Sequence, residues 1–206
     1  MAPGLTMAGR RVLVVFAHPL QDSLAASLRD AVVGGLEAAG HEPDIVDLYA
    51  DGFRPELTAD ERAVFKEPGY APPAEVAGYC DRLKRAHGVV FVFPQWWFGM
   101  PAILKGFVDR VFAPDVAYRY EPDSPRITPL LDNLKTFHVV TTTGSPWWVA
   151  ELIMRNPVRR QISLGIRKFC ARDSSFRMLS MYALDTASRE KCAAFVTRVR
   201  TEFSRL

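Results

Sequence analysis

The chain has 206 residues, which is enough for one domain with a complete hydrophobic core. Its net charge of +3 is small and spread along the sequence, which argues against nucleic-acid binding, and no apolar run reaches the roughly 20 residues of a membrane helix. We therefore expect one domain over residues 1–206, with residues 1–10 as a mobile lead-in, no nucleic-acid partner and no membrane insertion.

Predicted strands and helices alternate in the first half of the chain. In order, they are a buried strand at 11–18, a helix from Asp22 or Ser23 to about Ala39, a short strand at 44–48 and a helix from Pro73 to Ala86. Between the last two lies a long segment, 49–73, rich in proline, glycine and charge. We expect a loop with one helical turn after Thr58, and a loop of this length is usually functional or mobile.

The second half of the chain continues the alternation. Its predicted elements are a very apolar strand at 88–94, a helix from Pro101, a strand at 135–144, a helix at 147–163, a fifth strand within 167–179 and a helix from Thr186 to Phe203. This alternation predicts an α/β domain with a parallel sheet and right-handed crossovers. Ligands of such sheets bind beyond the carboxyl ends of the strands, so the turns after the first, third and fourth strands form the candidate site.

The first of these turns, "AHPLQDS" at 17–23, lacks both the G-x-G-x-x-G fingerprint and a Walker lysine. This counts against a standard dinucleotide-binding fold and against an NTPase. The turn nevertheless opens a helix whose free N–H groups and dipole suit a phosphate, and His18 and Ser23 can add donors. Each residue also has a plausible structural role, His18 as a capping or core histidine and Ser23 as a helix N-cap.

The second turn, "FPQWWFGMP" at 93–101, is unusually aromatic for a segment that should run on the surface. Trp97 and Phe98 can present an aromatic wall while the turn offers backbone amides. This combination suits a planar heterocycle such as a flavin ring. Packing in the core is the alternative, and we favour it for Phe91 and Phe93 inside the strand.

The third turn reads "TTTGSPWW" at 141–148. Its hydroxyls, its glycine and a row of unpaired backbone N–H groups predict stabilisation of negative charge, as on a reduced flavin. Threonine-rich strand ends are common, so the prediction depends on the three turns meeting at one place.

The segment "FPQWWFGMPAILKGFVDRVF", followed by "VAYRY", closely resembles the NAD(P)H:quinone oxidoreductase family, which includes DT-diaphorase and shorter bacterial relatives. The resemblance covers nearly the whole chain. It implies a flavodoxin-like doubly wound sheet of five parallel strands with helices on both faces, bound FAD with FMN as the alternative, and a homodimer. It also implies two-electron hydride transfer from NAD(P)H through flavin N5 to a quinone or a similar small electrophile.

The resemblance implies a set of binding residues but no catalytic side chain, because the flavin performs the chemistry. Tyr118 and Tyr120 match a tyrosine pair that lines the substrate pocket across the dimer interface. Trp147 and Trp148 are expected to reshape that pocket, and no metal site is expected. The cofactor-binding residues are His18, Ser23, Pro94, Gln95, Trp96, Trp97, Phe98, Thr142, Thr143, Gly144 and Ser145.

The chain departs from the family pattern at three places. Ala25 replaces a frequent asparagine, Ser145 replaces the second glycine of the third turn, and the Tyr and His that follow this turn in the animal enzymes are absent. The group that balances charge on the reduced flavin is therefore unassigned. We expect backbone N–H groups around Gly144 and Ser145 to do this, unless His138 or the partner subunit contributes.

Two other functions remain open from the sequence. Ancillary proteins of potassium efflux systems share the resemblance, and the 49–73 segment could serve such a subunit as a docking face. A flavodoxin-type electron carrier is disfavoured because carriers tend to be acidic. The three cysteines, Cys80, Cys170 and Cys192, lack metal-ligand spacing, which predicts reduced thiols, buried in the core of a cytoplasmic protein.

Overall fold

A parallel sheet forms the centre of the computed structural model, which describes residues 9–67, 69–121 and 126–206. The strands of the described residues are β1 (Arg11–Phe16), β2 (Glu42–Asp47), β3 (Gly88–Pro94), β4 (Tyr118–Tyr120), β5 (Ile127–Pro129), β6 (Thr136–Thr142) and β7 (Ser175–Met181). Five of them pair in parallel in the order β2-β1-β3-β6-β7, while β4 and β5 form a small antiparallel hairpin. The strand order reverses between β1 and β3, so the predicted flavodoxin-like doubly wound sheet is confirmed.

Helices cover both faces of the sheet. They are α1 (Leu24–Ala38), α2 (Ala59–Val64), α3 (Ala74–Arg85), α4 (Ala102–Val111), α5 (Pro157–Arg160), α6 (Lys168–Cys170) and α7 (Arg189–Phe203), with π-helical turns at Val149–Ile153 and Gln161–Arg167 and a 3-10 turn at Leu184–Thr186. α1 and α7 pack on one face, where a Cβ at Gly35 would lie 2.7 Å from Phe203. α3, α4 and the helical segment 157–170 pack on the other face.

The central strands are buried because both of their faces are covered. In β1, Val14 belongs to the core under α1 and α7, whereas its neighbour Leu13 belongs to the core under α3 and α4. The continuous apolar runs in the sequence predict this two-sided burial. Phe91 and Phe93 of β3 are also buried, which confirms their interpretation as core residues.

The prediction of one helix at 147–163 is wrong, because the chain breaks at Arg155 and Asn156, whose φ angles are 53° and 42°. Pro157 disfavours helical backbone at the residue before it. The Asn156 side chain instead accepts a hydrogen bond from the Arg159 amide at 2.9 Å and caps the next helical segment. An asparagine tolerates the left-handed backbone that this position requires.

Several predicted boundaries shift by a few residues. The last helix begins at Arg189, later than predicted, and Ser23 rather than its neighbour caps α1. The predicted lead-in at 1–10 lies mostly outside the described residues. Within it, the Gly9 amide donates a hydrogen bond to the Gly40 carbonyl at 2.6 Å.

The long segment 49–73 is anchored on α4. The predicted helical turn is α2, which begins with a capping box in which Thr58 and Glu61 satisfy each other's backbone amides. Just before it, Pro55 lies directly on Gly106 of α4, where a Cβ would come within 2.2 Å of the Pro55 carbonyl oxygen. This close approach requires glycine at position 106.

No helix within the described ranges is both long and apolar enough to cross a membrane. The cysteines are free thiols, and Cys80 and Cys170 are buried in the core while Cys192 is only half-buried. Burial raises the pKa of Cys80 to about 11 and that of Cys170 to about 12. Both buried thiols therefore stay protonated at neutral pH.

Candidate functional site

The three turns identified in the sequence lie side by side at the carboxyl edge of the sheet, because β3 lies between β1 and β6. Two backbone hydrogen bonds extend the ladder into the turns. The Ala17 amide donates to the Val92 carbonyl at 3.0 Å, and the Gln95 amide donates to the Thr142 carbonyl at 2.8 Å. We call this group of turns the cradle, which comprises residues 17–23, 94–101 and 142–148.

The first turn of the cradle is held by its own side chains. The His18 Nδ1 atom lies 3.0 Å from the Leu20 amide nitrogen and 3.1 Å from the Leu20 carbonyl oxygen, so Nε2 is the ring atom left for a ligand. The Ser23 hydroxyl donates to the Leu20 carbonyl at 2.8 Å and accepts from the Ala26 amide at 3.2 Å. Ser23 is therefore the N-cap of α1, and both His18 and Ser23 remain half-buried.

The second turn has a strained backbone. Trp96 and Gly99 exchange both backbone hydrogen bonds, at 3.2 and 3.0 Å. The residues between them, Trp97 and Phe98, have φ angles of 53° and 57°. Positive φ at both central positions is typical of a type I′ turn, which prefers Asn-Gly. Bulky residues in this conformation cost roughly 1–3 kcal/mol each, and such strain concentrates at functional sites.

The two tryptophans of this turn face outward. Trp97 is 99% exposed and Trp96 is 43% exposed, whereas Pro94 pairs with Thr142 at the end of the β3–β6 ladder. The Trp96 ring lies 6.4 Å from the His18 imidazole with a tilt of 53°, which joins the first and second turns. An exposed tryptophan face suits a planar ligand or a second protein surface.

The third turn pairs more of its backbone than the sequence predicts. Thr142 and Thr143 are buried. The Thr143 amide donates to the Met181 carbonyl at 2.9 Å, and the Ser145 amide donates to the Thr143 hydroxyl oxygen at 3.3 Å. The expected row of unpaired N–H groups is therefore wrong for Thr143 and Ser145. The Gly144 amide has no partner among the described residues and is the donor that remains.

An acidic residue that sequence reasoning missed also lies at the cradle. Asp185 belongs to the 3-10 turn after β7, and its Oδ2 atom would be 2.2 Å from a Cβ placed on Gly144. This approach puts a carboxylate beside the third turn. The two residues are far apart in the chain, and no sequence pattern links them.

Trp147 and Trp148 lie at the end of the third turn of the cradle, where a helical turn begins, and both are about half exposed. Glu151 accepts hydrogen bonds from the Asn156 side-chain amide at 2.7 Å and from the Tyr182 hydroxyl. These contacts hold the tryptophan-bearing turn near the end of β7. Burial, followed by the hydrogen bond to Glu151, raises the pKa of Tyr182, so its hydroxyl remains a donor at neutral pH.

Tyr118 and Tyr120 do not join the cradle within one chain. Their rings lie 5.4 Å apart, edge to face. Burial, and next the hydrogen bond with the Tyr120 hydroxyl, raises the pKa of Tyr118. Both line a cavity of about 360 Å³ beside the second half of α4, which we call the tyrosine cavity. None of the described cradle residues lines it; its other aromatic lining residues are Phe65, Phe112 and Phe169.

His138, a sequence candidate for balancing flavin charge, lies towards the opposite end of the sheet. It sits near the start of β6, where it pairs with Val90 and Arg177 in the neighbouring strands. Its ring packs 5.3 Å from that of Phe203 in α7. Within one chain it therefore cannot serve the third turn.

Comparisons with known proteins point to the same fold. The Flavodoxin_2 family model, described as a flavodoxin-like fold, matches residues 10–170. NAD(P)H dehydrogenase (quinone) 1 from Rattus norvegicus is 33% identical over 184 residues, which cover 80% of this chain and 66% of the rat protein. The chain spans 43% to 66% of the length of the first three curated relatives.

Two solved structures illustrate the structural likeness. The NAD(P)H:quinone oxidoreductase from Methanothermobacter marburgensis is 27% identical, with a TM-score of 0.82 and coverage of 96% of this chain and 98% of that one. An FMN-dependent NADH-azoreductase from Bacillus anthracis str. Ames Ancestor has a TM-score of 0.74 over 95% of this chain and 98% of its own. At 14% identity, that second likeness shows the fold alone.

Proposed function

Because the chain belongs to the Flavodoxin_2 family, which has a flavodoxin-like fold, we propose that it is a flavin-dependent NAD(P)H oxidoreductase that reduces quinones or similar small electrophiles by two electrons. The observation that carries the proposal is the cradle, where three turns meet at the switch point of the sheet and the aromatic turn is strained and exposed. The names of the rat and M. marburgensis relatives support this activity.

The residues of the cradle fit a flavin. The N-terminus of α1, with His18 and Ser23, suits the phosphate end of the cofactor. Trp97 and Phe98 offer aromatic faces to its ring, and the Gly144 amide offers a donor for negative charge. When bound, a flavin accepts a hydride from NAD(P)H and passes two electrons to the acceptor.

The contribution of the protein is to bind and orient. The reciprocal hydrogen bonds between Trp96 and Gly99 fix the aromatic turn before a ligand arrives, so less conformational freedom is lost on binding. Trp147 and Trp148 provide a second aromatic wall beside the third turn. The carboxylate of Asp185 disfavours further negative charge nearby, and the Gly144 N–H opposes that effect.

FAD is the flavin that the family resemblance implies, and FMN is the alternative. An absorption spectrum of the purified protein tests for a flavin, and the mass of the cofactor released by heat distinguishes the two. A yellow protein supports the proposal. A colourless protein that takes up neither FAD nor FMN would exclude the oxidoreductase function.

The proposed acceptor pocket needs a second copy of the chain, because the cradle and the tyrosine cavity are separate within one chain. In a two-fold dimer, the cradle of each protomer can face the tyrosine cavity of its partner, which gives two equivalent pockets. Both surfaces expose apolar side chains, which favours burial between protomers. These side chains are Trp96, Trp97, Trp147 and Trp148 at the cradle, and Tyr120 and Phe169 at the cavity.

Sedimentation velocity at assay concentrations tests the dimer. We expect a single species at twice the mass of the chain, and a fully active monomer would contradict the shared pocket. The ancillary-subunit alternative gains no support, since the relatives carry oxidoreductase names and the 49–73 segment is packed on α4. The cytoplasmic location expected from the free thiols remains part of the proposal.

A further inference from the structure

We propose that Arg110 is a positioning residue that holds the segment 54–66 as one wall of the tyrosine cavity, so that Leu57 and Phe65 select the acceptor. The inference rests on the proposed function only in calling the ligand an electron acceptor. The contacts that hold the wall are part of the fold and do not depend on the proposed function. The acceptor class that suits it is a planar, apolar, bicyclic aromatic compound such as a naphthoquinone.

Arg110, at the end of α4, is only 1% exposed although it carries a full charge. Its Nε atom donates to Glu61 Oε1 at 2.9 Å, and its Nη2 atom lies 2.8 Å from the same oxygen. It also donates to the Glu75 carboxylate and to the Arg54 carbonyl oxygen. A buried guanidinium needs such partners, because an unpaired charge in the core is strongly disfavoured.

These contacts fix the segment 54–66 at two points. One is its first residue, Arg54, and the other is Glu61 in α2. Glu61 also closes the capping box with Thr58, so one carboxylate both caps α2 and binds Arg110. Burial opposes the ionisation of Glu61, but the Thr58 amide and Arg110 together hold its pKa below the usual value.

The fixed segment contributes to the lining of the tyrosine cavity. Leu57 and Phe65 line the cavity together with Tyr118 and Tyr120. The Lys66 ammonium lies 5.9 Å from the centre of the Tyr120 ring, which is a second contact between the segment and the hairpin. Because Leu57 lies between the two anchored residues, release of either anchor displaces the wall.

The lining of the cavity defines the class of ligand. Its volume of about 360 Å³ lies within the usual range for small-molecule sites. Aliphatic and aromatic side chains dominate the lining, and its carboxylate, Asp109, is neutralised by Lys105 at 2.7 Å. Such a cavity favours an apolar ring with few charged groups.

The first test uses the flavin-loaded protein with cavity variants. Phe65→Ala and Leu57→Ala should raise the KM for menadione about tenfold, because each removes apolar contact with the ring. Reduction of ferricyanide, a hydrophilic acceptor with no need for an apolar cavity, should change by less than about twofold, and so should flavin reduction by NAD(P)H.

Val64→Ala is the matched control, because Val64 precedes Phe65, is 48% exposed and is not among the residues that line the cavity. We expect its menadione KM to match that of the unaltered protein. Equal menadione KM values in Phe65→Ala and Val64→Ala would overturn the assignment of the wall.

The second test addresses Arg110 without using activity alone. Arg110→Gln should speed trypsin cleavage after Arg62 and Lys66 at temperatures where circular dichroism shows a folded chain, and should raise the menadione KM. Arg110→Lys, which keeps the charge, should restore part of both. If Arg110→Gln does not fold, Glu75→Gln removes a half-exposed partner and gives the same comparison. Unchanged cleavage and KM in a folded variant would overturn the positioning role.

Failure of the proposed function would look different from failure of this inference. Binding of anilinonaphthalene sulfonate, an apolar aromatic probe, needs no flavin. If the protein binds no flavin but Phe65→Ala weakens probe binding more than Val64→Ala does, the wall stands and the oxidoreductase function falls. If the two variants bind the probe equally, the wall assignment falls.

Discussion

The two edges of the central sheet differ in what they expose. At the carboxyl edge, the cradle presents large aromatic side chains, with Trp97 almost fully exposed on a strained backbone. At the amino edge, His41 and His138 are buried near the end of α7, beside a cavity of about 50 Å³ that His87 and Leu206 also line. The same strands therefore support exposure at one end and burial at the other.

This difference separates binding from stability. Strain and apolar exposure destabilise a free chain, and they persist where a ligand or partner offsets the cost. At the amino edge, His41 Nδ1 and His138 Nε2 are buried without hydrogen-bond partners among the described residues. Protonation there would place a charge in the core. Changes at the carboxyl edge should therefore alter binding, and changes at the amino edge should alter stability.

The largest expected effect is acid destabilisation at the amino edge. Burial, followed by the charge of Arg177, lowers the pKa of His138 from 6.5 to about 4. Below pH 6.5 the unfolded chain takes up a proton that the folded chain accepts only near pH 4. The contribution of the neutral His138 ring is therefore fully present above pH 6.5. As the pH approaches 4, the free energy of unfolding falls by about 3 kcal/mol. Burial also lowers the pKa of His41, which adds to the loss.

Urea unfolding at pH 7 and pH 4 measures this effect, with His138→Gln as the comparison. The variant lacks the titrating ring. The drop in its free energy of unfolding from pH 7 to pH 4 should therefore be about 3 kcal/mol smaller than the drop in the unaltered protein. Its flavin affinity at pH 7 should match that of the unaltered protein, because His138 lies far from the cradle. The same acid loss in both proteins would contradict the assignment.

The next effect belongs to the cradle. Trp97→Ala should weaken flavin binding by about 2–3 kcal/mol, because a ring that is exposed in the free chain gains most from being covered. His18→Ala should cost about 1.5 kcal/mol, since only Nε2 is left for the phosphate. Calorimetric titration of FAD and FMN into each apo-variant measures both losses. Equal or reversed losses would refute the placement of the flavin ring on Trp97.

A smaller effect tests the strain of the second turn. Trp97→Asn should stabilise the flavin-free protein by about 1 kcal/mol, because asparagine tolerates positive φ and an exposed tryptophan contributes little packing. The same variant should still lose flavin affinity. Trp97→Ala is the control, as alanine has no preference for this backbone and should not stabilise. A loss of unfolding free energy in Trp97→Asn would show that the turn is not strained.

The smallest expected effect is on the pH dependence of flavin reduction. The rate with NAD(P)H should vary less than about twofold between pH 6 and 8, the range in which an ordinary histidine titrates. His138 is far from the cradle, and the raised pKa of Tyr182 keeps its hydroxyl protonated. Stopped-flow reduction measures the profile. A sigmoid near neutrality that disappears in His18→Ala would show that a histidine relay operates at the cradle.

Much of the fold could be predicted because its signals are local. The continuous apolar runs of β1 and β3 indicate strands covered on both faces, and Ser23 has the chemistry of a helix cap. The adjacency of the three turns follows from the strand order of a doubly wound sheet. The break in the helix at 147–163 also had a local signal, since Asn156 and Pro157 form a dipeptide typical of turns.

The sequence by itself determined most of the elements, their order and the chemistry available at each turn, because these depend on neighbouring residues. Only the tertiary structure decided that Asp185 lies against Gly144 and that Arg110 anchors the segment 54–66. It also decided that Trp97 adopts a backbone conformation that its residue type disfavours. The first two features arise from packing between segments distant in sequence. No local pattern encodes such packing, because it depends on how all the elements fill one core.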